Sequence, residues 1–254
     1  MTRSSSAIRV NISNTEVEAE LLAHNLAQVR ARIAAAATRA GRDPSEVRLV
    51  AVTKTVSPVT AAELVDGGQL VLAENRVDRF LEKRAAIPEA EIHLIGTLQT
   101  NKVRFVVGQT PLIHSVDSRR LLEKIEARAA ALDLIQPVLL EVNVSGEDSK
   151  HGLTSGEARD LVTAVAVGEL HSPHIQINGL MTMAPFDTPE AVRWVFRDLR
   201  GLRDELRDSL QQTHGSERVP LRELSMGMSN DFEIAIEEGA TLVRVGTALF
   251  KETD

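Results

Sequence analysis

Val47-Arg48-Leu49-Val50-Ala51-Val52-Thr53-Lys54-Thr55 is short, apolar and rich in β-branched residues. That composition reads as a buried strand, and buried strands belong to parallel sheets covered by helices. Before it, residues 16–40 carry Leu21, Leu22, Leu26, Val29 and Ile33 on one side of a long amphipathic helix. Gly41 suits the helix stop and Asp43-Pro44 a turn. After it, Pro58 opens a second helix to about residue 65, and Gly67-Gly68 ends it.

The same rhythm continues to the C-terminus. Strands are expected over 70–73, 91–95, 112–116, 137–144, 175–183, 222–225 and 241–245. Helices are expected over 75–86, 99–107, 118–132, 155–167, 188–211 and 230–238. Alternation of this kind implies a parallel sheet. Eight strands in 254 residues is the size of a single (β/α)8 TIM barrel of α/β class. The rival is an open doubly wound sheet, but the chain has no G-x-G-x-x-G. The last strand is followed by about ten residues, too few for a long eighth helix. The extra N-terminal helix is expected to cover that gap.

Composition removes several function classes. There is no cysteine, which excludes disulfides, iron–sulfur clusters, thiolate zinc and cysteine nucleophiles. There is no tyrosine, so no phenol serves as acid, base or nucleophile. The net charge of −7 and 3% aromatic content argue against a nucleic-acid partner. No apolar run is long enough to span a membrane, and none near the N-terminus marks a secretory leader. The chain is therefore expected in the cytoplasm. Residues 1–15, Ser-rich with Arg3 and Arg9, read as a disordered tail before a barrel domain over 16–254.

In a TIM barrel, chemistry sits at the C-terminal strand ends. Lys54 is the only one of six lysines that terminates a strand. Alternation puts it on one face with Val50 and Val52. A lysine in a barrel mouth is desolvated, and its amine becomes a nucleophile toward carbonyl compounds. The alternative is a lysine snorkelling to solvent. Asn75 ends the second strand, as a ligand contact or a helix cap. Ser229, Gly246 and Thr247 follow the last two strands, where such barrels commonly bind phosphate. Ser229 also reads as an ordinary N-cap. Arg244, at the last strand, either donates to a pyridine nitrogen or pairs with a carboxylate. His93 reads as a core residue, and His171 with His174 as a weak metal signal. The loop 145–152 reads as a solvated loop at the mouth. Arginines 193, 197, 200, 203 and 207 read as a solvated helix face.

Five blocks in order carry a resemblance: Val50-Ala51-Val52-Thr53-Lys54-Thr55, Ile92-His93-Leu94-Ile95-Gly96, Gly179-Leu180-Met181-Thr182-Met183, Ser225-Met226-Gly227-Met228-Ser229 and Val243-Arg244-Val245-Gly246-Thr247-Ala248-Leu249-Phe250. Together the chain resembles the pyridoxal phosphate homeostasis protein family, the YggS/PROSC group. The resemblance implies a barrel like the N-terminal domain of alanine racemase. It implies pyridoxal 5'-phosphate (PLP) as cofactor, held as a Schiff base on Lys54. It further implies phosphate binding by Ser229, Gly246 and Thr247, Asn75 beside the cofactor, and Arg244 at the pyridine nitrogen. The family manages PLP supply without an established reaction. Three departures stand out: Ala73-Glu74-Asn75-Arg76 where the family has Gly-Glu-Asn-Tyr, Thr97 where proline is common, and Lys251 where glycine follows.

The expected function is thus a PLP-binding protein of PLP homeostasis rather than an enzyme. PLP-dependent apoenzymes are the expected partners, and the expected state is a monomer. A weakly active amino-acid racemase is the alternative, but alanine-racemase-like chemistry sets a tyrosine from a second domain against the lysine. A sugar-phosphate enzyme fits the composition but not the five blocks.

Overall fold

The computed structural model describes residues 14–147, 151–210 and 217–251. The strands are β1 (Arg48–Val52), β2 (Val71–Glu74), β3 (Glu91–Leu94), β4 (Ile113–Val116), β5 (Gln136–Glu141), β6 (Ile175–Met181), β7 (Glu223–Ser225) and β8 (Leu242–Val245). All neighbours are parallel, and β8 pairs back onto β1, closing the barrel in chain order. The helices are α1 (Asn14–Arg39), α2 (Pro58–Asp66), α3 (Val77–Ala86), α4 (Arg119–Ala131), α5 (Ser155–Ala166), α6 (Pro189–Leu210), α7 (Phe232–Glu237) and α8 (Thr247–Phe250). The tail expected over 1–15 lies, up to residue 13, outside the described residues, and Asn14 and Thr15 already belong to α1.

Local chemistry sets the helix starts. The Ser57 hydroxyl accepts from the Thr60 amide ahead of Pro58 in α2, and Thr154 forms a reciprocal capping box with Glu157 in α5. One expected helix is absent: residues 99–107 hold only a 3-10 turn, Val103–Phe105. Thr100 and Asn101 are weak helix formers, and Gly108 at φ +81° ends the segment, so Val103, Val106 and Val107 bury in a tighter path. Strand five ends at Glu141 rather than 144: the Val142 amide still donates to the Met181 carbonyl, but the Asn143 amide turns to the Leu153 carbonyl. Two short elements were not expected, a 3-10 turn over Pro44–Glu46 and α8, and the other differences fall at element ends.

Helix α1 occupies the position of the missing eighth helix. It packs against α2, α7 and α8 and buries Leu22, Leu26, Val29, Ile33, Ala36 and Ala37. Each large side chain among these contributes about 1.5–3 kcal/mol on burial. Charge fixes its edges: Arg32 pairs with Glu233, Arg39 with Glu237, and Arg30 donates to the carbonyls of Gly67 and Gly68. Part of the arginine face of α6 also differs from its expected role. Arg193 pairs with Glu237 and Glu238 on the α7 side, and Arg200 with Glu238, so these two tie neighbouring helices together.

Inside the barrel, Val50, Ala73, Leu112, Leu139, Met181 and Leu242 form an apolar layer. The C-terminal closure rests on buried Asn25 of α1, whose Nδ2 donates to the carbonyls of Leu249 (3.1 Å) and Lys251 (2.9 Å). Asn25→Ala strips both carbonyls of their donor and is expected to cost about 1–3 kcal/mol. Urea denaturation checks it: the midpoint falls while the slope stays constant.

Candidate functional site

The C-terminal ends of the strands surround a cavity of about 600 Å³. That volume lies in the range of small-molecule sites. Its wall includes all six residues singled out above: Lys54, Asn75, Ser229, Arg244, Gly246 and Thr247. The ring closure by β1–β8 pairing is what brings the first and last of these together.

Of the two readings of Lys54, the structure shows the solvent-facing one. Its side chain is exposed, not desolvated, and makes no hydrogen bond or ion pair among the described residues. β1 ends at Val52, so Lys54 stands in the turn above the rim, where no neighbouring strand walls it in. Beneath it lies a buried ion pair. Lys83 of α3 donates to Glu74 Oε1 (2.6 Å) and to the Thr53 carbonyl (2.9 Å), and the Thr53 hydroxyl donates to the same carboxylate oxygen (2.7 Å). Thr53 precedes Lys54 and Glu74 precedes Asn75, so this cluster ties the two strand ends that carry both residues. Glu74 Oε2 is buried without a partner among the described residues.

Asn75 does not cap α3; Arg76 occupies that position. Its backbone is packed so closely by Gly96 that a Cβ there would overlap the Asn75 carbonyl. Ser229 is not the cap of α7 either, since Asp231 takes that place. The Ser229 hydroxyl instead accepts from the Gly246 and Ala248 amides, both at 3.3 Å. Gly227 makes the bend before it, at φ +90°, where a Cβ would strike Ala235 and Phe232.

Arg244 is 4% exposed. It is in no ion pair among the described residues, so the carboxylate-pair reading does not hold. Instead its Nη1 donates to Ser225 Oγ (2.7 Å) and its Nη2 to the Thr182 carbonyl (2.9 Å). The chain of contacts continues down the barrel from Ser225 Oγ to His114 (2.9 Å) and from His114 to His93 (3.0 Å). Burial pushes His93 down to about 3, helped by the positive charge of Arg48. Burial also holds His114 well below the usual histidine range, with coupling to His93 and the positive charges of Arg244 and Arg48 adding to the effect. Both rings are therefore neutral at neutral pH, and His93 is the core residue its sequence position suggested. Burial lowers Arg244 to about 10, so it keeps its charge. His174, by contrast, pairs with Glu126 at 2.9 Å, and no metal-ligating cluster exists among the described residues. In the loop 145–152, residues 148–150 lie outside the described residues, and His151 lines the cavity.

The wall also carries three carboxylates that sequence reasoning did not assign to it, Glu141, Asp187 and Asp231, and two of them are buried. Asp231 is buried, and its Oδ1 accepts from the Met228 amide at 2.5 Å. Burial raises it against the pull of that hydrogen bond and of Arg244. Glu141, at the end of β5, is 4% exposed and has no hydrogen bond or ion pair to its carboxylate among the described residues. Burial raises it first and the charge of Asp117 second, against Arg244 and His151. A lone acid in the apolar run Val138-Leu139-Leu140-Glu141-Val142 was the available signal, hidden because that strand was expected to run three residues further.

A parallel (β/α)8 barrel with a rim lysine and a buried arginine at the last strand defines a class, the alanine racemase N-terminal domain, and the family of that description matches residues 24–254. The chain is 44% identical over 230 residues to the pyridoxal phosphate homeostasis protein of Aquifex aeolicus (strain VF5), covering 89% of this chain and 96% of that protein. It is 39% identical over 240 residues to the protein of the same name from Escherichia coli (strain K12), covering 92% and 97%. Among solved structures, PipY of Synechococcus elongatus PCC7942 with PLP bound superposes with a TM-score of 0.76 at 31% identity, covering 91% of this chain and all of that one. The chain belongs to the pyridoxal phosphate homeostasis protein family. That family is named for homeostasis rather than for a reaction.

Two stability predictions follow from the buried charges. Lys83→Met leaves the Glu74 carboxylate buried without its cation and is expected to cost about 3–5 kcal/mol. Adding Glu74→Leu restores part of that loss, read by chemical denaturation of the single and double variants. For Glu141 the folded-state pKa is raised, so its ionisation opposes folding at every pH above the unfolded value. Glu141→Gln is therefore expected to raise the thermal midpoint at neutral pH, by about 2–4 °C per kcal/mol removed. That gain fades as pH falls through the titration of Glu141, and a melting series against pH checks the sign.

Proposed function

We propose that this chain binds PLP in the mouth cavity, attached covalently through Lys54, and holds the cofactor rather than running a reaction on it. The observation that carries the reading is the convergence of Lys54, Asn75, Ser229, Arg244, Gly246 and Thr247 on one cavity, in a chain 31% identical to a protein solved with PLP bound.

The donor set fits the cofactor. Lys54 offers a primary amine at the rim with no competing partner among the described residues. The Gly246 and Ala248 amides donate to the Ser229 oxygen, which gathers Ser229, Gly246 and Thr247 at one point of the rim and leaves the Ser229 O–H to donate to phosphate oxygens. A Cβ at Gly246 would lie 3.1 Å from the Val52 carbonyl, tighter than an ordinary contact, so a side chain there would push on the first strand. When bound, PLP supplies an aldehyde that condenses with an amine and a ring that withdraws electrons. Arg244 uses two of its five N–H donors on Ser225 and Thr182, leaving others for the cavity. A permanently charged donor beside a pyridine nitrogen keeps that nitrogen unprotonated and the ring a weak electron sink.

This supports a carrier over a catalyst, as does the absence of tyrosine. On the same reading, PLP-dependent apoenzymes are the recipients of the cofactor, residues 16–254 act as one PLP-binding domain, and the protein works as a monomer in the cytoplasm. No helix among the described residues is long and apolar enough to cross a membrane.

The test is the absorbance spectrum after adding PLP, with and without borohydride, for wild type and Lys54→Ala. A visible band that borohydride traps as a mass increase on the Lys54 peptide is expected, and is expected to vanish in the variant. No band in wild type sinks the cofactor reading.

A further inference from the structure

The six cofactor residues lie at the ends of β1, β2, β7 and β8. In the closed barrel these strands are neighbours, in the order β7-β8-β1-β2. They form one half of the wall. The other half, from β3 to β6, contributes Ile95, Gly96, Thr97, Glu141 and residues 183–187, and the cofactor reading gives it no task.

Glu141 is the anomaly in that half. It sits at the mouth end of β5, which lies four strands from β1 in either direction and so directly across the cavity from Lys54. It is more than nine-tenths buried, faces the cavity, and has no hydrogen bond or ion pair to its carboxylate among the described residues. An unpaired buried carboxylate is costly unless a donor reaches it. The groups that face it are Asp117 from beyond β4, His151 from the loop after β5 and Arg244 from β8, and none is within hydrogen-bond distance. Lys54, Asp187 and Asp231 share the cavity wall. Ile95, Met183, Ala184 and Pro185 make the surrounding wall apolar, which strengthens any charge-assisted bond formed there.

We propose that the β3–β6 half of the cavity is a subsite for the ammonium group of a small primary amine, held by the Glu141 carboxylate across from Lys54. A cationic N–H group supplies both the missing donor and the missing countercharge, which a neutral hydroxyl does not. The subsite rests on the cofactor reading in that PLP fills the opposite half. It makes binding of amino compounds a property of the cavity that takes the cofactor.

The test is a ligand-observed NMR titration with L-alanine, ethylamine and propionate. The protein is titrated without PLP and after PLP loading and borohydride reduction, which fixes the cofactor so that only binding is read. Both amines are expected to bind wild type, and Glu141→Gln is expected to weaken them by at least ~10-fold while Glu141→Asp weakens them less. Propionate, lacking the ammonium, is expected to show no such loss. In wild type, amine binding falls as pH drops through the titration of Glu141; the same series on Glu141→Gln separates this from His151. L-alanine binding without ethylamine narrows the class to amino acids, and binding of both leaves it as primary amines. Equal amine affinity in wild type and Glu141→Gln overturns the subsite, as does no amine binding to wild type in either form. A protein that takes up no PLP yet binds amines through Glu141 overturns the cofactor reading and leaves the subsite standing.

Discussion

Closure of the sheet on itself is the constraint from which the rest of the molecule follows. β8 pairs with β1 over Arg48↔Leu242 to Ala51↔Val245, and no sheet edge remains. That register sets Gly246 against the Val52 carbonyl and puts Arg244 and Lys54 on the same mouth. The closure needs an eighth helical cover, and the chain supplies it from its other end. Helix α1 reaches α2 on one side and α7 and α8 on the other, with Asn25 holding the last carbonyls. The N-terminal helix and the residues after β8 are thus one structural unit made from opposite ends of the sequence.

Buried charge is then managed in two different ways. Glu74 and Lys83 are paired directly at 2.6 Å outside the strand wall. Desolvating two ions is costly, so the pair adds little net stability over an apolar substitute while either member alone is severely unfavourable. What it supplies is position: it fixes Thr53 and Glu74, and with them the segments that carry Lys54 and Asn75. Arg244 is treated the other way. Its neighbours are a hydroxyl, a carbonyl and, behind them, two imidazoles held neutral by burial. No carboxylate among the described residues competes for it at close range, so its cationic face stays available to the cavity. Asp231 and Glu141 lower its cost by longer-range attraction only.

Much of this was legible in the sequence. The apolar β-branched runs and their alternation with helical segments gave the barrel, because local periodicity is dictated by which face must leave water. Lys54, Ser229, Gly246 and Thr247 were readable because a barrel places function at its strand ends. Roles that depend on distant partners were not. The helix expected over 99–107 became a short 3-10 turn, and the caps offered as alternative readings of Asn75 and Ser229 fall instead to Arg76 and Asp231. His114, Glu74 and Lys83 gave no local sign of their contacts, since each meets its partner across strands or between sheet and helix.

The sequence by itself determined the order of elements, the closed parallel architecture and the identity of the rim residues, since these follow from periodicity and from the sharp turns at strand ends. Only the tertiary structure decided the electrostatic state of the mouth. Lys54 proved exposed, and among the described residues Arg244 is unpaired with any carboxylate and Glu141 is buried without a donor across from the lysine. Burial and charge partnership are properties of three-dimensional neighbours, and in a barrel those neighbours come from strands tens to hundreds of residues apart.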